Sequence, residues 1–267
     1  MAAAEETPSM PQATVLTIAG SDPTGGAGIQ ADLRTFDRLG VRGLSVIAAI
    51  TAQDSRGVQA VTPVGEKAFA GQLEALLHDG APGGVKTGML LSAANVLITA
   101  RHLAQVTVPV VVVDPVLVSS NGVPLLEKRG HLPLVEHLFP LATVVTPNLD
   151  EARLLTGVPS GDFEDETRWV EAMCGEIFRL GPKNVVITGG HRRGDPVDIL
   201  FDGNGFRSFG APRIAKTLHG SGCRFSAALS AHLVLGHALE TALNCAKGYT
   251  ASCFKEEGRA FPLPPTR

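Results

Sequence analysis

His219-Gly220-Ser221-Gly222-Cys223 is the stretch of this sequence best suited to do chemistry. It opens a run of mostly small residues, Ser226-Ala227-Ala228-Leu229-Ser230-Ala231, which reads as a helix with the glycines at its N-terminus. The first N–H groups of a helix lack internal partners, and the dipole there favours negative charge. Glycines let an anion approach the backbone unobstructed. The same field favours the thiolate of a cysteine placed there. The loop can therefore hold a phosphate and set a base, Cys223, against it. The plainer reading is a glycine turn before a packed helix, with Cys223 as a small buried hydrophobe.

Such a loop needs elements to position it. Short β-branched runs, Thr14-Val15-Leu16-Thr17-Ile18, Ser45-Val46-Ile47-Ala48-Ala49-Ile50, Val110-Val111-Val112-Val113, Ala142-Thr143-Val144-Val145 and Asn184-Val185-Val186-Ile187, are apolar at nearly every position. That pattern suits strands covered on both faces. Amphipathic segments at roughly 27–39, 66–79, 92–104, 127–138, 148–156, 165–180, 222–236 and 238–254 read as helices between and after them. The alternation predicts an α/β fold, a mostly parallel sheet with helices on both faces. Residues 197–201 and 206–209, joined by Asp202-Gly203-Asn204-Gly205, read as a hairpin. Ligands of open α/β sheets bind beyond the carboxyl ends of the strands. Polar or glycine-rich segments follow there: Gly20-Ser21-Asp22, Thr51-Ala52-Gln53-Asp54, Asp114-Pro115, Thr146-Pro147-Asn148 and Thr188-Gly189-Gly190-His191. They are expected to converge on one edge, facing the Gly220 loop.

Composition narrows the class. The chain has 267 residues, 44% hydrophobic and 18% charged, with a net charge of −3. This suits one large folded domain, and no dense basic stripe offers a nucleic-acid or anionic-membrane surface. No repeat or long linker divides the chain, so a single domain is expected over residues 14–255. Residues 1–13 read as a disordered leader without signal-peptide character, and residues 256–267 as a polar, proline-rich tail. The most apolar stretch, Val106 to Val118, is broken by Pro109, Asp114 and Pro115 and is too short to span a bilayer. Cys174, Cys223, Cys245 and Cys253 form no C-x-x-C pair and no zinc spacing, which reads as a reduced cytoplasmic protein. His191 and His219 likewise lack metal-ligand spacing, and neither reads as a catalytic base. Two familiar nucleotide motifs fail. Gly83-Gly84-Val85-Lys86-Thr87 lacks the Walker order, and Gly25-Gly26-Ala27-Gly28 does not complete G-x-G-x-x-G, so a dinucleotide-binding Rossmann domain is disfavoured.

Seven segments taken together resemble one family. Residues 19–32 (Ala-Gly-Ser-Asp-Pro-Thr-Gly-Gly-Ala-Gly-Ile-Gln-Ala-Asp), 51–58, Lys86-Thr87-Gly88-Met89-Leu90, Val113-Asp114-Pro115-Val116, Ser119-Ser120-Asn121-Gly122, 146–151 and 219–223 follow the order found in hydroxymethylpyrimidine/phosphomethylpyrimidine kinases. The similarity runs from about residue 14 to 250. It implies a ribokinase-like three-layer sandwich that phosphorylates the pyrimidine precursor of thiamine, first on its hydroxymethyl group and then on the resulting phosphate. ATP is the implied co-substrate and Mg²⁺ the implied cofactor, in a cytoplasmic enzyme, commonly a homodimer, without nucleic-acid or membrane partners. On this resemblance Cys223 accepts the hydroxyl proton, and the N–H groups of Gly220, Ser221, Gly222 and Cys223 hold the transferred phosphoryl oxygens. Asn148 and Glu151 organise Mg²⁺, with Asp114 as a second carboxylate. Gln53 reads the aminopyrimidine edge, Gly20 and Asp22 border the pocket, and Met89 forms an apolar wall. From the residues alone, Glu151 reads equally as a solvated helix residue, Asp114 as a turn aspartate, and Met89 as plain core.

The sequence also departs from the family. Thr188 stands where a lysine near the ATP phosphates is usual, with Arg192, Arg193 or Lys216 as substitutes for its charge. Thr217-Leu218-His219 replaces Asn-Thr-His, Arg224 replaces Thr, and the glycine-rich tail is absent. Similar enzymes phosphorylate pyridoxal or pyridoxine, and a catalytically impaired pyrimidine-binding protein is a third reading.

Overall fold

β-branched runs with no polar face build the centre of the molecule. The computed structural model of the chain describes residues 13–256, apart from 55, 161–164, 192 and 193. Most of the expected leader and tail, and both Arg192 and Arg193, lie outside the described residues. Nine strands form one sheet among the described residues: β1 (Thr14–Ser21), β2 (Arg42–Asp54), β3 (Gly57–Pro63), β4 (Gly84–Thr87), β5 (Val110–Val113), β6 (Val144–Val145), β7 (Val185–Ile187), β8 (Val197–Phe201) and β9 (Phe206–Gly210). The order is β3-β2-β1-β4-β5-β6-β7-β8-β9. The six central strands, β2 to β7 in that order, run parallel, while β3, β8 and β9 are antiparallel to their neighbours.

Side chains alternate across the sheet, and each face finds its own helices. Val85, Val111, Val113, Val145 and Val185 point into a core closed by α2 (Glu66–His78), α3 (Ala93–Leu103), α5 (Leu149–Thr156) and α6 (Glu166–Arg179). Val112, Val144 and Val186 point the other way, onto Phe225, Ala228 and Leu229 of α7 (Ser221–Val234) and Ala242, Leu243 and Ala246 of α8 (Leu239–Glu256). Phe36 of α1 (Gly28–Arg38) closes the same face with Val15, Ala227 and Ala231. Each large apolar side chain buried here contributes about 1.5–3 kcal/mol. The three layers match the expected sandwich.

Four local expectations are corrected. The edge strand β3 alternates imperfectly and is largely exposed, so periodicity does not reveal it. β4 is four fully buried residues, read from sequence only as a failed phosphate loop. The helix expected over 127–138 is a broken helical run: a 3₁₀ turn at Lys128–Gly130, α4 (His131–Pro133), a π turn at Leu134–Leu138 and a second 3₁₀ turn at Phe139–Leu141. Pro133 and Pro140 cannot donate within it, which disfavours one continuous α-helix. β6 keeps only Val144 and Val145 of the expected 142–145. No helix among the described residues is long and apolar enough to cross a membrane.

Candidate active site

Two helix N-termini meet over the carboxyl ends of β1 and β4. Gly220 caps α7 in the left-handed region, φ +72. A Cβ there would stand 2.2 Å from the Gly26 carbonyl oxygen and 2.8 Å from Ala27 Cα, so only glycine lets the two loops touch. Gly28, which opens α1, packs as closely on the Gly20 carbonyl. Its N–H reaches the sulfur of Cys223. Cys223 thus lies half-buried between the starts of α1 and α7, where helix N–H groups collect, although the Ser221 N–H donates to the Leu218 carbonyl at 3.3 Å. A Cβ on Gly222 would meet open space, which leaves this backbone accessible.

Burial nevertheless dominates the thiol. It pushes the Cys223 pKa up to about 11, against the pull of Lys86 and the Gly28 N–H, with Asp32 and Asp114 adding to the rise. The expectation that the helix field favours the thiolate is therefore corrected: burial outweighs that field and holds the Cys223 pKa above the usual thiol range.

Register explains the charge below it. Lys86 of β4 pairs with Thr17 on β1 and Val112 on β5, so its side chain points to the α1/α7 face. There its ammonium, fully buried, meets Asp32 Oδ2 of α1 at 2.9 Å, and the Thr17 hydroxyl donates to the same oxygen at 2.6 Å. Asp32 Oδ1 has no hydrogen-bond partner among the described residues. Burial opposes the charge on Lys86, but Asp32 first, then Cys223 and Asp114, hold its pKa above the ordinary lysine range. Sequence reasoning missed Lys86 and Asp32 as site residues. The available signal was a lysine inside the short apolar strand Gly84-Val85-Lys86-Thr87.

Asp114 and Glu151 lie further along the same edge. Both are 6% exposed. Asp114 Oδ2 accepts the Ser226 hydroxyl of α7 at 2.8 Å, so it is more than a turn residue. Glu151 and Asn148 form a capping box at the start of α5: Asn148 Oδ1 accepts from the Glu151 N–H at 3.0 Å, and Glu151 Oε2 from the Asn148 N–H at 2.9 Å. The box accounts for the N-x-x-E spacing by local structure. Burial, then the charge of Asp114, pushes the Glu151 pKa up to about 8. Two buried carboxylates, one of which disfavours the other's charge, are an oxygen donor set suited to a hard divalent cation.

A second cluster borders the Gly220 loop. Asp22, 2% exposed, accepts from the Thr24 N–H at 2.8 Å, the Ala27 N–H at 2.8 Å and the Thr24 hydroxyl at 2.9 Å. Burial opposes its charge, but hydrogen bonds from Gln53, Ala27 and Thr24 hold its pKa below the usual carboxylate range. His219 Nε2 stands 3.0 Å from Asp22 Oδ2 and 3.4 Å from Gln53 Nε2. The β2–β3 register shifts between Ala52 and Gln53, an irregularity of the kind that re-aims side chains near sites. His219, set aside in the sequence reading, ties the Gly220 loop to Asp22. Met89, 8% exposed, presses on Gly20, where a Cβ would stand 2.8 Å from its sulfur.

Thr188 follows β7, half-buried, and bridges to Asn148. Two residues on, the Gly190 carbonyl accepts from Arg213 at 3.3 Å, and the same guanidinium binds the Gly194 carbonyl. Of the three cations expected to stand in for the missing lysine, only Lys216 lies among the described residues, and it is exposed. Arg213, which the sequence reading did not name, is a cation seated on this loop among the described residues.

A glycine loop at a helix start, a cysteine beside it and two buried carboxylates, one after β5 and one in the first turn of α5, sit on a fold of the ribokinase-like type. The family model of phosphomethylpyrimidine kinase matches residues 22–261. The chain is 45% identical over 247 residues to the thiamine biosynthesis bifunctional protein ThiED of Geobacter sulfurreducens, covering 92% of this chain and 50% of that protein, so it spans half of that relative's length. It is 42% identical over 258 residues to the hydroxymethylpyrimidine/phosphomethylpyrimidine kinase of Streptomyces coelicolor, covering 96% and 93% of the two chains. The solved pyridoxal kinase of Staphylococcus aureus, in complex with AMP-PCP and pyridoxal, superposes with a TM-score of 0.81 at 33% identity, over 92% of this chain and 89% of that one. The chain belongs to the phosphomethylpyrimidine kinase family.

Proposed function

We propose that this chain is a hydroxymethylpyrimidine/phosphomethylpyrimidine kinase of thiamine biosynthesis, using ATP as phosphoryl donor. The observation that carries this reading is Cys223, held between the N-termini of α1 and α7 beside the Asp22–Gln53–His219 cluster. In the first reaction the thiolate form of Cys223 takes the proton of the substrate hydroxyl and becomes the thiol, as the hydroxyl oxygen bonds to the γ-phosphorus and the bond to ADP breaks. In the second, an oxygen of the pyrimidine monophosphate is the nucleophile. The N–H groups of Gly220, Ser221, Gly222 and Cys223 receive the charge on the phosphoryl oxygens, and Lys86 adds a fixed positive charge from beneath. Asp114 and Glu151 would hold Mg²⁺, with Asn148 fixing Glu151 through the capping box. Magnesium, when bound, neutralises phosphate charge. Gln53 orients the aminopyrimidine edge, with Gly20, Asp22 and Met89 lining the same pocket. A cytoplasmic homodimer is the assembly and location in keeping with this reading.

Gln53 offers both a donor and an acceptor to a ring nitrogen beside an exocyclic amine. Gln53→Ala is expected to weaken pyrimidine binding by about 1–3 kcal/mol, by leaving those ring groups unpaired. Calorimetric titration checks it, and an unchanged affinity would remove Gln53 from the pocket.

Arg213 takes the part of the cation missing at Thr188. Arg213→Ala is expected to raise the KM for ATP about tenfold, the loss of one hydrogen bond to a charged group. Adding Thr188→Lys in that background is expected to restore most of it, since lysine serves phosphate as a flexible point charge. Steady-state ATP kinetics decide; a KM indifferent to Arg213→Ala would show that this guanidinium only braces the loop.

A further inference from the structure

At the end of α7 far from the anion loop, the chain turns into α8 through Leu235-Gly236-His237-Ala238. His232 lies nine residues beyond Cys223 on one helix, about 13 Å along its axis. The turn is a Schellman motif. Gly236 has φ +87, its N–H donates to the Leu233 carbonyl at 3.0 Å, and the His237 N–H donates to the His232 carbonyl at 3.1 Å. That backbone sets residues 232 and 237 side by side, a contact usually made by two apolar side chains. Here two imidazoles make it, with ring centroids 5.2 Å apart and planes at 80°. From α8, which packs along α7, comes the half-buried free thiol of Cys245. One ring nitrogen from each histidine and the Cys245 sulfur all lie within 4.8 Å of one another. His232 Nδ1 is enclosed and has no hydrogen-bond partner among the described residues.

We propose that His232, His237 and Cys245 form a second metal site that takes Zn²⁺ or a similar borderline divalent ion. Two nitrogens and a thiolate are the donors such ions select, whereas Asp114 and Glu151 present only the oxygens that magnesium prefers. Three protein ligands leave a fourth position for water or an outside ligand. Little ordering is needed on binding, because the Schellman turn already fixes two of the three ligands. The sequence carries no zinc spacing because the ligands come from a helix end and from a separate helix.

The test is a Co²⁺ titration of the untagged full-length chain in excess Mg²⁺, read by absorption, with Zn²⁺ as competitor. The expected result is one equivalent of Co²⁺ with a cobalt–thiolate charge-transfer band that Zn²⁺ removes. Cys245→Ala is expected to abolish that band, and His232→Ala or His237→Ala to weaken Co²⁺ binding at least tenfold. Cys223→Ala is expected to keep the band. His237 is exposed, so its variant tests the site even where replacing His232 perturbs packing. A wild type with no thiolate band, a band that survives Cys245→Ala, or one lost in Cys223→Ala would overturn the assignment. None of these readings depends on kinase activity, so the site and the kinase function stand or fall separately.

Discussion

Cys223→Ala is expected to lower phosphoryl transfer about 10²–10⁴-fold, the usual cost of removing a positioned general base, with pyrimidine binding nearly intact. The pH profile carries the sharper signature. With the free thiol pushed up to about 11 by burial, the thiolate fraction of the free enzyme rises steadily from pH 7 toward that value. Since kcat/KM reports free-enzyme ionisations, it is expected to climb with pH in the wild type and to flatten in Cys223→Ala. A wild-type profile flat from pH 7 to 10, or a variant with near wild-type turnover, would reduce Cys223 to packing.

Lys86→Met is expected to damage the enzyme twice over. Removing one member of a buried ion pair leaves Asp32 uncompensated, at a cost of about 3–5 kcal/mol. For a domain of this size that lowers Tm by roughly 10 °C. The second effect is electrostatic: the fixed cation acting on Cys223 is gone. The double variant Lys86→Met/Asp32→Asn separates the two, because it removes the orphaned charge along with its partner. Thermal melts of the double variant are expected to recover most of the lost Tm, while kcat stays at least tenfold down. Recovery of kcat together with Tm would make the pair purely structural.

These residues also mark what the sequence could and could not disclose. The parallel sheet was legible because strands covered on both faces have no polar face, as at Val110–Val113 and Val185–Ile187. The glycine turn at the start of α7 was legible because glycines precede a run of small helical residues, and the structure adds why Gly220 is needed: a left-handed backbone and a close approach to Gly26. β3 escaped because an exposed edge strand need not alternate cleanly. Lys86 escaped as a site residue because its partner, Asp32, is fifty-four positions earlier on α1, and only strand register aims Lys86 at the face that α1 covers. The Asn148–Glu151 spacing was legible, but its immediate cause is a helix cap. The thiol of Cys223 shows the limit most clearly. A helix N-terminus argues for the thiolate, and burial, which no local pattern reveals, outweighs it.

The measurement that bears most directly on the central claim is ADP production by the purified chain with ATP and Mg²⁺, given three acceptors separately: hydroxymethylpyrimidine, its monophosphate and pyridoxal. The expected result is acceptor-dependent ADP with both pyrimidines and a clearly lower kcat/KM with pyridoxal. ADP formation that depends on pyridoxal and ignores both pyrimidines, or no acceptor-dependent ADP at all, would contradict it.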